Sequence, residues 1–252
     1  MRLLLLQVVF AAGRVASQDS LGPCGQLRRS WSRIRKPPRV SSKVMIIGAG
    51  LGTTATRSIA RWISSARAPP LLITHWRGVL GTPQGLGDEA WRKVHGQLMA
   101  LPPKRHATFD YTILEKWDGV MDTPMAELFP YILAAFPRAK VILSVRNATE
   151  WSRSRKEHHK TSPVPFAALT EGGEGSVASI IQKHSYGTQN NSETSDSALL
   201  FETHNLLVRC LVPPAQLLEV NVFVEGGEAA MRRVQTFVNS TSSAGGRPSP
   251  PF

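Results

Sequence analysis

Residues 46–59 read IIGAGLGTTATRSI: a short apolar run, a glycine-rich turn, then a segment of helical spacing. Backbone N–H groups at such a helix start have no partner, and the aligned peptide dipoles make the position attractive to an oxyanion. The hydroxyls of Thr53, Thr54, Thr56 and Ser58 add donors. Two classes of protein use this device. A dinucleotide-binding fold also needs an acidic residue at the end of its second strand, about 20 positions on, to hold ribose hydroxyls. Here that strand ends ITHW, within a stretch from Ser20 to Gly87 that contains no Asp or Glu. NAD therefore loses its second anchor, and an NADP-binding oxidoreductase is what survives of that class. The other class is a phosphate-binding loop. A nucleotidase of the Walker type would end its loop in Gly-Lys-Ser/Thr, which is absent. Glycines that only permit a tight turn remain a third reading.

The elements that must position this loop follow from periodicity. KVMIIG has the character of a buried parallel strand, and TRSIARWISSA that of a helix with Ile59, Trp62 and Ile63 on one face. LLITHW, the start of DGVMDTP, AKVILSVR and AQLLEVNVF read as further strands. DEAWRKVHGQLMAL, MAELFPYILAAF, ATEWSRSRKEHH, ALLFETHNLLVRCLV and GEAAMRRVQTFV read as helices, the second of them bent or interrupted at Pro130. Strands alternating with helices predict an α/β fold in three layers, a central parallel sheet flanked by helices. The polar stretch from His184 to Ser197 predicts a loop or lid beside an acceptor pocket. Residues 18–42 read as a basic Pro/Ser/Arg-rich linker, 43–238 as the folded domain and 239–252 as a disordered tail.

Several of these segments together resemble the P-loop sulfotransferases, in particular a branch whose loop reads approximately GAGFGRTGTxSL. The middle segment, DGVMDTPMAELFPYILAAFPRAKVILSVRNATEWSRS, is similar to that branch in its strand ending Asp-x-Pro, its helix, and its strand ending Val-Arg-Asn. The closing helix, strand and helix match in order. The resemblance runs from Lys43 to Val238. It implies a P-loop fold and transfer of a sulfuryl group from 3′-phosphoadenosine 5′-phosphosulfate (PAPS) to a hydroxyl acceptor, a carbohydrate or small metabolite, with no metal. It implies that Gly50, Gly52, Thr53, Thr54, Ala55, Thr56, Arg57 and Ser58 hold the 5′-phosphosulfate. It also implies that Arg146, closing a strand, and Ser154, eight residues on, hold the 3′-phosphate. The acceptor's proton would pass to Asp122, which stands two residues before Pro124 where many members have His; capping the following helix is its alternative role. His75 is a second candidate for the base.

The chain departs from the pattern at two places. The family's loop carries Lys or Arg where this chain has Thr53 or, if the loop is aligned two residues differently, Gly50. Arg57 is a candidate replacement for that charge. Ala55 stands where the loop is expected to have Gly. A noncatalytic protein that binds the desulfated nucleotide PAP is therefore the alternative function.

The net charge of +12 over 252 residues suggests an anionic partner. No nucleic-acid recognition motif accompanies it, so nucleic acid is not expected. The basic segment around Arg28 to Lys43 suits a solvated linker or peripheral contact with a membrane surface. Residues 1–17 read as a signal peptide, with an early Arg, an apolar run from Leu3 to Ala12, and Val15 and Ser17 before the cleavage point. The expectation is the secretory pathway, in the Golgi lumen or beyond; an organelle-targeting peptide is the alternative. Cys24 and Cys210 could pair, though their spacing alone does not say so. Sequons stand at Asn147, Asn190 and Asn239, and Asn147 is expected unused because it adjoins the nucleotide site.

Overall fold

The computed structural model describes residues 23–32, 37–76, 78–82, 86–101, 103–158 and 197–240. The expected signal peptide, the polar stretch up to residue 196 with Asn190, and the tail beyond residue 240 lie outside the described residues.

Six strands form one sheet: β1 (Ile46–Gly48), β2 (Ile73–His75), β3 (Gly78–Leu80), β4 (Gly119–Met121), β5 (Lys140–Ser144) and β6 (Leu217–Val220). Their order is β3-β2-β4-β1-β5-β6. All neighbours are parallel except β3, which turns back antiparallel on β2 and was not read from the sequence. Register places Ile47 between Val120 and Val141.

Alternation along the strands fills two cores. Ile47, Val120, Val141 and Leu143 face one cluster. It is completed by α1 (Pro23–Ser32), α3 (Leu86–Ala100), α4 (Phe129–Ala135), α5 (Ala148–His158) and α6 (Ser197–Leu211). Ile46, Met121, Ile142 and Val220 face the other, against Ile59, Ala60 and Ile63 of α2 (Thr56–Ser64) and Ala230, Val234 and Val238 of α8 (Gly227–Asn239). The architecture is thus the expected α/β fold, a mostly parallel sheet between helical layers.

Three expected elements differ. The stretch read as a linker contains α1, whose Leu27 and Trp31 are buried in the core and whose Cys24 is disulfide-bonded to Cys210 of α6. Its basic residues masked the spacing of Leu27 and Trp31, four apart on one helical face. The helix expected from Met125 starts at Phe129, with Pro130 in its first turn, where a missing N–H costs no intrahelical bond. The last strand stops at Val220, and a short helix α7 (Val222–Glu225) follows. Asn239, assigned to the tail, instead ends α8. That helix end is capped by cations: Lys140 Nζ donates to the carbonyls of Phe237 (2.8 Å) and Val238 (3.0 Å), and Arg67 Nη2 to that of Val238 (3.0 Å).

Candidate functional site

The C-terminal ends of β1, β2, β4 and β5 meet at one edge of the sheet. β1 connects to β2 on one side and has β5 on the other, so the strand order reverses there, and in open α/β sheets such a reversal opens a crevice for ligands.

The loop from Ala49 to Ala55 is held from several directions. His204 of α6 hydrogen-bonds the Ala49 carbonyl through Nε2 at 2.7 Å, and Trp151 of α5 donates from Nε1 to the Gly52 carbonyl at 2.8 Å. Burial lowers the His204 pKa to about 4, so the ring is neutral and Nε2 carries the donated hydrogen. Gly50 lies against β5: a Cβ there would stand 1.9 Å from Ser144 Oγ. Thr54 is fully buried, donating to the Leu51 carbonyl at 2.6 Å and sharing a 2.6 Å hydrogen bond with Ser144 Oγ. Its hydroxyl, expected to face phosphate, therefore braces the loop instead. Thr53 and Ala55 adopt left-handed backbone, φ 70° and 66°. Ala55 thus keeps the conformation that a glycine would take more easily.

Ala55 is also the N-cap of α2 and makes no side-chain cap bond to the first-turn N–H groups. Arg57 is exposed on that first turn, and Ser58 is half-buried beside it. Arg146, following β5, donates from Nη1 to the Thr53 carbonyl at 3.1 Å, and its guanidinium lies 4.3 Å above the Phe223 ring. Ser154 is half-buried two turns into α5. Asn147 accepts from the Glu150 N–H at 3.1 Å, a capping role for this sequon residue.

Asp122 ends β4 in left-handed backbone, φ 65°. Its carbonyl, not its carboxylate, accepts from the N–H groups of Met125 and Ala126. The carboxylate instead faces β2, with Oδ2 3.3 Å from His75 Nε2, and the same nitrogen lies 3.1 Å from Thr56 Oγ1. Burial lowers the His75 pKa; Asp122 opposes this and Arg57 adds to it. The two candidate bases are thus one pair, joined to the helix that starts the loop's anion site.

The profile of a sulfotransferase domain matches residues 45–228. The chain belongs to the sulfotransferase domain family. A comparison with curated proteins finds no match.

In this sulfotransferase-domain chain, two further buried charged residues bear on the site, of which Arg155 borders the loop at Gly52. Arg155, one turn beyond Trp151 on α5, is 8% exposed, and Glu127 is 3% exposed. Glu127 Oε1 accepts from Thr123 Oγ1 at 2.9 Å. Burial is the main cause that raises the Glu127 pKa to about 7. Burial also lowers that of Arg155, against the opposing charges of Glu127 and Asp122. The sequence held one cue: Arg155 follows Trp151 by four residues and shares its inward face. Among the described residues, no group of three or more His, Cys, Asp or Glu side chains could hold a metal.

Proposed function

We propose that this protein transfers a sulfuryl group from PAPS to a hydroxyl acceptor. The observation that carries the reading is the convergence, on one sheet edge, of an uncapped helix start, the Arg146 guanidinium and the His75–Asp122 pair. Two buried polar atoms at this edge, Thr53 Oγ1 and Arg146 Nε, lack a hydrogen-bond partner among the described residues. Buried donors are ordinarily paired, so a ligand with several anionic oxygens suits them.

Each residue then has a role. The N–H groups at the start of α2 and the Thr53, Thr56 and Ser58 side chains hold the 5′-phosphosulfate. Gly50 and Gly52 let the loop approach its neighbours closely, while Thr54 and Ala55 fix its shape. Arg146 and Ser154 clamp the 3′-phosphate, and Phe223, half-exposed above Arg146, offers an aromatic face to the nucleoside. Asp122, oriented by His75, takes the acceptor's proton. PAPS supplies the activated sulfuryl group when bound. Because any side chain at Gly50 would strike Ser144, the geometry supports Thr53 as the position where related loops carry Lys or Arg.

The carbohydrate or metabolite acceptor, and the GAGFGRTGTxSL-type branch, follow from resemblance and rest on it. The Cys24–Cys210 disulfide supports the secretory reading, since such bonds persist in oxidising compartments. Peripheral association of the basic N-terminal segment with a membrane is part of the same reading.

Calorimetric titration with PAP, and with NADP in parallel, tests the site. PAP binding without NADP binding is expected. Binding of NADP alone would reject the proposal and restore the oxidoreductase reading. Sulfuryl transfer from labelled PAPS to a panel of hydroxyl acceptors then separates an enzyme from a PAP-binding protein.

A further inference from the structure

The loop from Gly48 to Thr56 contains no Lys or Arg. Breaking a sulfuryl–phosphate bond leaves its electron pair on a phosphate oxygen, and a cation held in a dry site lowers the barrier more than one in water. Among the described residues, Arg57, Arg146 and Arg155 are the arginines to weigh at the loop. Arg57 is exposed on α2, where solvent screens it. Arg146 is turned to the Thr53 carbonyl and the Phe223 ring. Arg155 is the buried one. The Cβ position at Gly52 lies 2.9 Å from Arg155 Nη1 and 3.2 Å from Asp122 Oδ1, so the guanidinium and the carboxylate both border the loop at Gly52. Arg155 Nε is buried with no hydrogen-bond partner among the described residues. A guanidinium placed so deep needs compensation, and the charges of Glu127 and Asp122 act in that direction.

We propose that Arg155, reaching the loop at Gly52 from α5, supplies the transition-state cation that the loop itself lacks. This rests on the PAPS reading of the same site. In the step, the acceptor oxygen forms a bond to sulfur and the acceptor proton passes to Asp122. The bridging sulfur–oxygen bond breaks, its electron pair going to the phosphate oxygen of PAP, where Arg155 meets the new charge. With water as acceptor the same step releases sulfate, so turnover can be read without knowing the natural acceptor.

The test measures PAP affinity by calorimetry and PAPS cleavage to PAP, with and without an acceptor, for the wild type and variants. Arg155→Gln should leave the KM for PAPS within about threefold while cleavage falls on the order of 10²–10³-fold, and PAP, which carries the charge that develops, should bind more weakly. Arg155→Lys should retain most of the rate, and adding Thr53→Lys to Arg155→Gln should restore at least about tenfold, because the charge is returned from the loop side. If Arg155→Gln does not fold, Glu127→Gln/Arg155→Gln removes both buried charges together and carries the same expectation. Unchanged cleavage in Arg155→Gln would overturn the proposal, as would unchanged PAP affinity or a double variant that Thr53→Lys fails to rescue. Wild-type protein that binds PAP but leaves PAPS uncleaved would overturn the role of Arg155 and leave the nucleotide site standing. Wild-type protein that does not bind PAP would remove the site reading, and this assignment with it.

Discussion

Arg146 and Asp122 make opposite demands on the same site, and their variants separate binding from chemistry. Arg146 makes a charged hydrogen bond to the loop, and on the proposed reading it also clamps the 3′-phosphate, so Arg146→Ala should weaken PAP binding by about 1.5–3 kcal/mol in calorimetry. Unchanged affinity in a folded variant would reject the clamp. Asp122 accepts a proton in the proposed step but carries no share of phosphate binding. Asp122→Asn should therefore keep PAP affinity and lower PAPS turnover to acceptor by roughly 10²–10⁴-fold. A rate within a few-fold of wild type would pass the base role to His75 acting alone. The loop, Arg146 and Asp122 were legible because each follows a strand end that periodicity marks. Arg155 beside Gly52 and the buried Glu127 were not, since their placement depends on how α5 and the turn after β4 pack, which no local pattern records. The Thr54 hydroxyl was misread for a related reason: its partner, Ser144, is 90 residues away.

At the scale of elements, the loop is shaped by helices that never enter the crevice. α6 holds Ala49 through His204, and this makes loop order depend on acidity. The folded-state pKa of His204 is lowered to about 4 from 6.5, so the unfolded chain binds the proton first as pH falls. Stability is fully present above pH 6.5 and is lost as pH falls toward 4, a loss of up to ~3 kcal/mol. His106, also lowered to about 4 by burial, acts in the same direction. Glu127, raised to about 7, acts in the opposite one, costing stability as pH rises from 4.5 to 7. His204→Gln can keep a donor to Ala49 without the proton, so thermal melts between pH 6.5 and 4 should show a shallower decline than wild type. Equal declines would clear His204 of the effect. β5 shapes the loop sterically. Gly50→Ala would force a methyl group into Ser144 and should cost about 1–3 kcal/mol in urea unfolding. The parallel core strands were readable as apolar runs, whereas β3, three residues paired only to β2, had too little pattern to announce itself.

Over the whole molecule, the disulfide binds the first described helix to the last third of the chain, at a separation of 186 residues. Closing so long a loop restricts the unfolded chain strongly, and Cys24→Ser/Cys210→Ser should lower stability by about 2–5 kcal/mol. Urea unfolding with and without reductant measures this, and coincident curves would show that α1 docks by Leu27 and Trp31 alone. The α/β plan was legible throughout because alternating strands and helices dictate it. The bond was not, because two cysteines in a chain this long specify no pairing until the fold brings α1 onto α6. The order of synthesis adds a consequence. At roughly 5–20 residues per second, a ribosome delivers Cys210 about ten to forty seconds after Cys24. For that interval the N-terminal cysteine has no partner within its own chain. If synthesis delivers the chain into an oxidising compartment, as proposed, that cysteine either waits as a thiol or is held in a mixed disulfide until Cys210 arrives.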